Sequence, residues 1–231
     1  MRVVKLVFCI ILFIFSIAST AADISQCSFT VTDGSEERCS TTNTRLQDSC
    51  SIGMSPASST YCVVWTSDQL SSGNLDIYVR LFDSSGDPYG GTTSQQAEKL
   101  VNEVTANTQF QPSCVGSLHD GTMLVLYANQ GQDNPDFSYG VYGRIVLPYQ
   151  QGSFQGSSFL INTRTQYDQL YPAGCALSDG YMVIWSSIGQ DGQGYGIYAQ
   201  RITVNGAIML LSRVLDLTDY VQEILLELKH R

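Results

Sequence analysis

The chain has 231 residues, 43% of them hydrophobic and 14% charged, which is enough apolar material for a folded core and too little charge for a disordered chain. Lys and Arg total 12 against 21 Asp and Glu, a formal net charge of −9, so the chain cannot neutralise phosphates and nucleic acid and anionic membrane surfaces are excluded as partners. Two histidines in the whole chain leave little material for His-based catalysis or metal ligation.

In chain order, residues 1–21 read as a secretory signal peptide. Arg2 and Lys5 form a positive start, Leu6 to Ile17 is apolar, and Ser19-Thr20-Ala21 supplies the small residues a signal peptidase reads. Cleavage after Ala21 would leave 10 basic against 21 acidic groups, a net −11. No second apolar stretch of about 18 residues follows, so the expected product is secreted, with no membrane insertion once the signal is removed.

Residues 22–49 form a Cys-rich N-terminal segment. With Cys9 lost in the signal, Cys27, Cys39, Cys50, Cys62, Cys114 and Cys175 remain, an even number that reads as three disulfides in an oxidising compartment. Their pairing is open. The wide spacing of the first four lacks the close pairs of a structural zinc site.

Residues 50–213 contain an internal repeat. Leu100 to Pro112 aligns without a gap on Leu160 to Pro172, matching Asn102 with Asn162, Gln109 with Gln169 and Pro112 with Pro172. Asp120 to Tyr127 then lies on Asp179 to Trp185, and Tyr139 to Arg144 on Tyr195 to Arg201. An earlier copy runs from Cys62 to Trp65 and from Asp76 to Arg80, so the period is about 60 residues. Each unit predicts a strand near the cysteine, an Asp-Gly turn, and an apolar strand ending at Trp65, Tyr127 or Trp185. A Gly- and Asp-rich loop, a strand around Tyr78, Tyr142 or Tyr198, and a Leu-x-Asn strand complete it. The fold class is therefore all-β, with antiparallel four-stranded, propeller-like units of which about three are visible. Residues 214–231 start a further repeat and then become a short amphipathic C-terminal helix through Val221, Ile224, Leu225 and Leu228. Three blades per chain suggest a homodimer closing a six-bladed ring.

The motifs Leu177-x-Asp179-Gly180-x-x-Val183-x-Trp185, Gly189 to Arg201, Asn205-Gly206, Leu160-x-Asn162-Thr163 and Gln169-x-x-Pro172 resemble repeats of large secreted calcium-binding, adhesin-like (haemolysin-type) proteins of bacteria and protists. The resemblance covers roughly residues 50 to 213. It implies propeller-like β units and an extracellular, non-catalytic role, with Ca²⁺ by association.

The candidate metal ligands are Asp133, Asp136 and Asp191 in the Gly-rich loops, where carboxylates and carbonyls would meet Ca²⁺; Asp68 is the first-unit counterpart. Turn capping is the plainer explanation for the same residues. The candidate ligand-binding aromatics are Tyr139 and Tyr195, in loops with little core to enter. His119 precedes a turn and His230 lies in the tail, so no catalytic residue is assigned. The expected function is non-enzymatic adhesion or capture of an extracellular glycan or protein ligand. Two alternatives are a secreted propeller-type glycoside hydrolase or other hydrolase, and a truncated relative without activity of its own.

Overall fold

A computed structural model describes residues 38–42, 45–71, 73–89, 98–133, 138–150 and 152–209. Cys27, Asp136, His230, the signal peptide and the expected C-terminal helix lie outside these residues.

Among the described residues, twelve strands form three antiparallel four-stranded sheets with the simplest possible order. Blade 1 comprises β1 (Gln47–Ser55), β2 (Thr60–Ser71), β3 (Asn74–Phe82) and β4 (Lys99–Leu100). Blade 2 comprises β5 (Gln109–Gly116), β6 (Met123–Gln130), β7 (Tyr139–Leu147) and β8 (Ser153–Leu160). Blade 3 comprises β9 (Gln169–Leu177), β10 (Gly180–Ile188), β11 (Tyr195–Thr203) and β12 (Ile208–Met209). The fold is all-β and propeller-like, as the repeat predicts. The first strands of successive blades touch, β1 against β5 and β5 against β9, so they are the inner strands of the array.

Two cores lie between the sheets. Cys62, Val64, Ile77, Val79 and Leu81 of blade 1 meet Met123, Val125, Tyr127 and Tyr142 of blade 2. The opposite face of blade 2, Leu124, Leu126, Val141 and Ile145, meets Tyr181, Val183 and Trp185 of blade 3. Alternation along each strand thus feeds two different interfaces, which explains why β6 is buried along nearly its whole length. Trp65, Tyr127 and Trp185 stand within the second strands rather than at their ends, because pairing with the third strand continues beyond each. All three are buried, filling the space between sheets. On blade 3 the face that would meet a following blade is open, leaving Ile184 43% and Ile197 73% exposed.

The inner strands lie close because glycine permits it. A Cβ on Gly53 of β1 would fall 2.5 Å from the Cys114 carbonyl oxygen, and one on Gly116 of β5 would collide with the Met54 carbonyl. Each inner strand also carries a bulge at one repeating place: the register shifts between Asp48 and Ser51, between Phe110 and Ser113, and between Leu170 and Ala173. Ser49, Gln111 and Tyr171 there adopt left-handed φ values of 51°, 53° and 57°. The next residue in blades 2 and 3 is Pro112 or Pro172, tolerated because the bulge needs no ladder hydrogen bond from it. That is the physical content of the Gln-x-x-Pro motif.

Candidate functional site

One end of the array collects the chemistry. The turns after β2, β6 and β10 lie beside the starts of the inner strands: Asp68 donates its backbone N–H to the Leu46 carbonyl, Gln130 to Thr108, and Ile188 to Asp168. The GQD loops and the Leu-x-Asn crossovers therefore share this end.

The residues that recur there hold the blades. Asn102 follows β4, and its Oδ1 accepts the Ile77 N–H at 2.8 Å; Asn162 follows β8 and accepts the Val141 N–H at 2.6 Å. Asn102 Nδ2 donates to Asp76 at 2.7 Å and to Gln109 at 3.1 Å. Asn162 Nδ2 donates to Asp133 at 3.4 Å and to Gln169 at 3.3 Å. Gln109 and Gln169 pass the chain on to the Ala106 and Gln166 carbonyls. All of Asn102, Asn162, Gln109 and Gln169 are buried, so every polar atom in these struts needs its partner.

The struts explain the recurring aspartates. Strand pairing aligns Tyr78 with Tyr142 and hence Asp76 with Gly140. In blade 1 the carboxylate grows from the strand itself. In blade 2 the strand residue is Gly140, whose missing side chain leaves the room that the Asp133 carboxylate enters from the loop. Blade 3 repeats the exchange, with Asp191 Oδ2 3.3 Å from where a Cβ on Gly196 would lie. The counterpart of Asp133 in the first unit is therefore Asp76, not Asp68, whose Oδ1 instead accepts the Leu46 N–H. Burial pushes the carboxyls of Asp76 and Asp133 up, against the lowering effect of their Asn partners.

This placement separates the expected site residues. Asp133 and Asp191 belong to different blades, and among the described residues no group of three or more His, Cys, Asp or Glu side chains could hold a metal ion. Tyr139 is half-buried, its ring packed on Phe110 with centroids 4.8 Å apart, and burial followed by Asp168 raises its hydroxyl pKa. Tyr195 is 60% exposed. His119 is exposed beside the Asp120 turn. Among the cysteines, Cys62 and Cys114 are buried together, Cys39 and Cys50 line one cavity, and Cys175 is exposed on β9. No helix among the described residues is long and apolar enough to cross a membrane.

In an array of repeats, residues common to all blades serve the scaffold, and the place to look for chemistry is where the repeat breaks. Alignment on Gln47, Gln109 and Gln169 sets Asp48 against Phe110 and Leu170, so one inner strand carries a carboxylate where the others carry apolar side chains. Asp48 is exposed, its Oδ1 accepting the Ser49 N–H at 2.7 Å next to the strained bulge. It borders a cavity of about 350 Å³ whose wall also includes Gln47, Ser49, Cys39, Cys50 and Trp65. Among the described residues no strand precedes β1. Cys39 and Ser40 complete the cavity wall, tied down by Arg80, which donates to the Cys39 carbonyl at 2.8 Å. The Trp65 indole N–H is buried with no hydrogen-bond partner among the described residues, as is that of Trp185 in blade 3. A second carboxylate is reached through hydrogen bonds: Gln47 Nε2 donates to the Thr42 carbonyl, and Thr42 Oγ1 to Glu98 Oε1 at 2.7 Å. Glu98 also accepts the Thr41 N–H at 2.7 Å. Asp48 and Glu98 are the functional candidates that sequence reading missed. The break at Asp48 was visible in the aligned Gln-x-x-Pro motif; Glu98 had no signal.

No protein-family model matches the chain, and no curated protein does. Among solved structures the chain is similar to an endo-arabinase from Bacteroides thetaiotaomicron, at 14% identity and a TM-score of 0.43, covering 68% of this chain and 58% of that one. It is also similar to a family 117 glycoside hydrolase from the marine bacterium Zobellia galactanivorans, at 8% identity and a TM-score of 0.44, covering 73% of this chain and 56% of that one. The chain thus spans less than two thirds of either structure. The expectation of a non-enzymatic adhesion protein finds no support in these matches, an endo-arabinase and a glycoside hydrolase, and is not carried further.

Proposed function

We propose that the chain is the blade array of a secreted carbohydrate-hydrolysing protein, with Asp48 and Glu98 as the carboxylates of its site. The observation that carries this reading is the position of Asp48. It stands on an inner strand, at a strained bulge, at the edge of a cavity lined by amide, hydroxyl and indole groups. A cavity of this size lies within the range of small-molecule sites. Its polar groups, the Gln47 amide and the Ser40 and Ser49 hydroxyls, suit the hydroxyls of a sugar. Hydrolysis of a glycosidic bond requires one carboxylic acid to protonate the departing oxygen. A second carboxylate then attacks the anomeric carbon or activates a water. Asp48, exposed at the cavity edge and accepting its neighbour's N–H, is the carboxylate placed to meet a bound sugar. Glu98 lies outside the cavity wall and is linked to its Gln47 through Thr42, whose hydroxyl it accepts. The leader read in residues 1–21 and the even cysteine count support export.

The test is a panel of fluorogenic glycosides and oligosaccharides offered to the purified chain. Turnover is expected, with Asp48→Asn and Glu98→Gln each lowering kcat at least about 100-fold, the scale of a lost acid or base. Absence of turnover across the panel, or an Asp48→Asn variant as active as the parent, overturns the reading.

A further inference from the structure

We infer that Cys62 and Cys114 form a disulfide that staples blade 1 to blade 2. Cys62 lies on β2 and Cys114 on β5, so the bond would join a middle strand of one blade to the inner strand of the next. Both side chains are in the core between these blades, Cys62 with no exposure and Cys114 with 7%. Three observations bring them together. Cys62 pairs with Gly53 across the β1–β2 ladder, so the two residues share a face. A Cβ built on Gly53 would lie 3.0 Å from Cys114 Sγ, so the Cys114 thiol sits over that same spot. Cys114 Sγ also donates to the Cys62 carbonyl at 3.5 Å. Gly53 is thus what lets the second thiol approach the first.

The contact between the thiols and their burial hold the Cys62 thiol well above its ordinary pKa. Since the thiolate is the species that reacts, the closed core resists oxidation and the bond forms while the blades are still coming together. The oxidant is a disulfide, small-molecule or borne by an oxidoreductase. One cysteine thiolate attacks it, releasing one thiol and leaving a mixed disulfide; the other cysteine thiolate then displaces the second thiol. Two protein thiols lose two hydrogens in all, and one external disulfide becomes two thiols. Among the remaining cysteines, Cys39 and Cys50 share the cavity wall beside Trp65.

The experiment uses the chain produced in an oxidising compartment, denatured in alkylating reagent without reductant, digested, and examined by mass spectrometry. A Cys62–Cys114 cross-linked peptide pair is expected, disappearing on reduction. Reduction should also lower Tm by about 5–15 °C, the scale of a disulfide closing a loop of this length in a domain of this size. In Cys114→Ala that part of the response should vanish, while Cys62 becomes alkylated on unfolding. Recovery of both residues alkylated from the oxidised protein, or of either linked to Cys27, Cys39, Cys50 or Cys175, overturns the inference.

Discussion

Replacing Asn102 by Ala tests the strut between blades 1 and 2 at its busiest point. The substitution removes the acceptor of the buried Ile77 N–H, held at 2.8 Å, and the donor to Asp76, held at 2.7 Å. A buried group left without its partner costs about 1–3 kcal/mol, so the two together predict a loss of about 4 kcal/mol. Against the 5–15 kcal/mol typical of a whole domain that is a large fraction, equivalent to roughly 8–16 °C in Tm for a chain of this size. The same change at Asn162 should cost less, about 2–3 kcal/mol. There the backbone bond is equally short at 2.6 Å, but the contact with Asp133 is stretched to 3.4 Å. Chemical denaturation followed by circular dichroism measures both. Asn102→Asp is the control: it keeps the acceptor for Ile77 but sets a second carboxyl against Asp76, so its deficit should shrink as pH falls. An Asn102→Ala variant within about 1 kcal/mol of the parent, below the cost of one buried unpaired group, would refute the reasoning.

Other consequences follow from the same network. Burial raises the Asp76 carboxyl pKa, so its contribution to stability is present below the free-chain value and is lost as pH rises through the folded value. Asp76→Asn keeps an acceptor for Asn102 and cannot ionise, so its Tm relative to the parent should climb from pH 3.5 to 7; a constant difference would contradict this. Gly140→Ala places a methyl group on the Asp133 carboxylate and should destabilise by about 1–3 kcal/mol. Pairing Gly140→Asp with Asp133→Gly rebuilds the blade 1 arrangement in blade 2, and its recovery of Tm over Gly140→Ala is the check. Tyr181 shares a buried hydrogen bond with Thr122 at 2.9 Å between blades 2 and 3, so Tyr181→Phe should cost about 1 kcal/mol on denaturation.

The strands were legible because alternation and an internal repeat are local signals. Asn102 and Asn162, and Gln109 and Gln169, stood out in the alignment, and they proved to be the blade struts. The recurring aspartates were legible as a pattern but not as a cause. Asp133 and Asp191 recur because the strand glycines beside them, Gly140 and Gly196, leave a carboxylate-sized space. An exchange between a strand position and a loop position is a tertiary relation that no linear spacing reports. It also hid Asp76, which looks like an ordinary strand residue. Tyr139 read as a loop aromatic because nothing in the chain near it announces Phe110, its packing partner from the inner strand. The bulges were invisible too, since Ser49, Gln111 and Tyr171 are not residues that advertise a left-handed backbone.

Asn162 keeps the repeat and holds the fold, whereas Asp48 breaks it and is the carboxylate proposed to carry chemistry. The most direct measurement takes Asp48→Asn and Asn162→Ala side by side, recording Tm and glycoside turnover on the same preparations. The account predicts that Asp48→Asn loses turnover with Tm unchanged. It predicts that Asn162→Ala loses Tm while turnover survives below its melting transition. An Asp48→Asn variant that melts early, or that turns over substrate as the parent does, would contradict it.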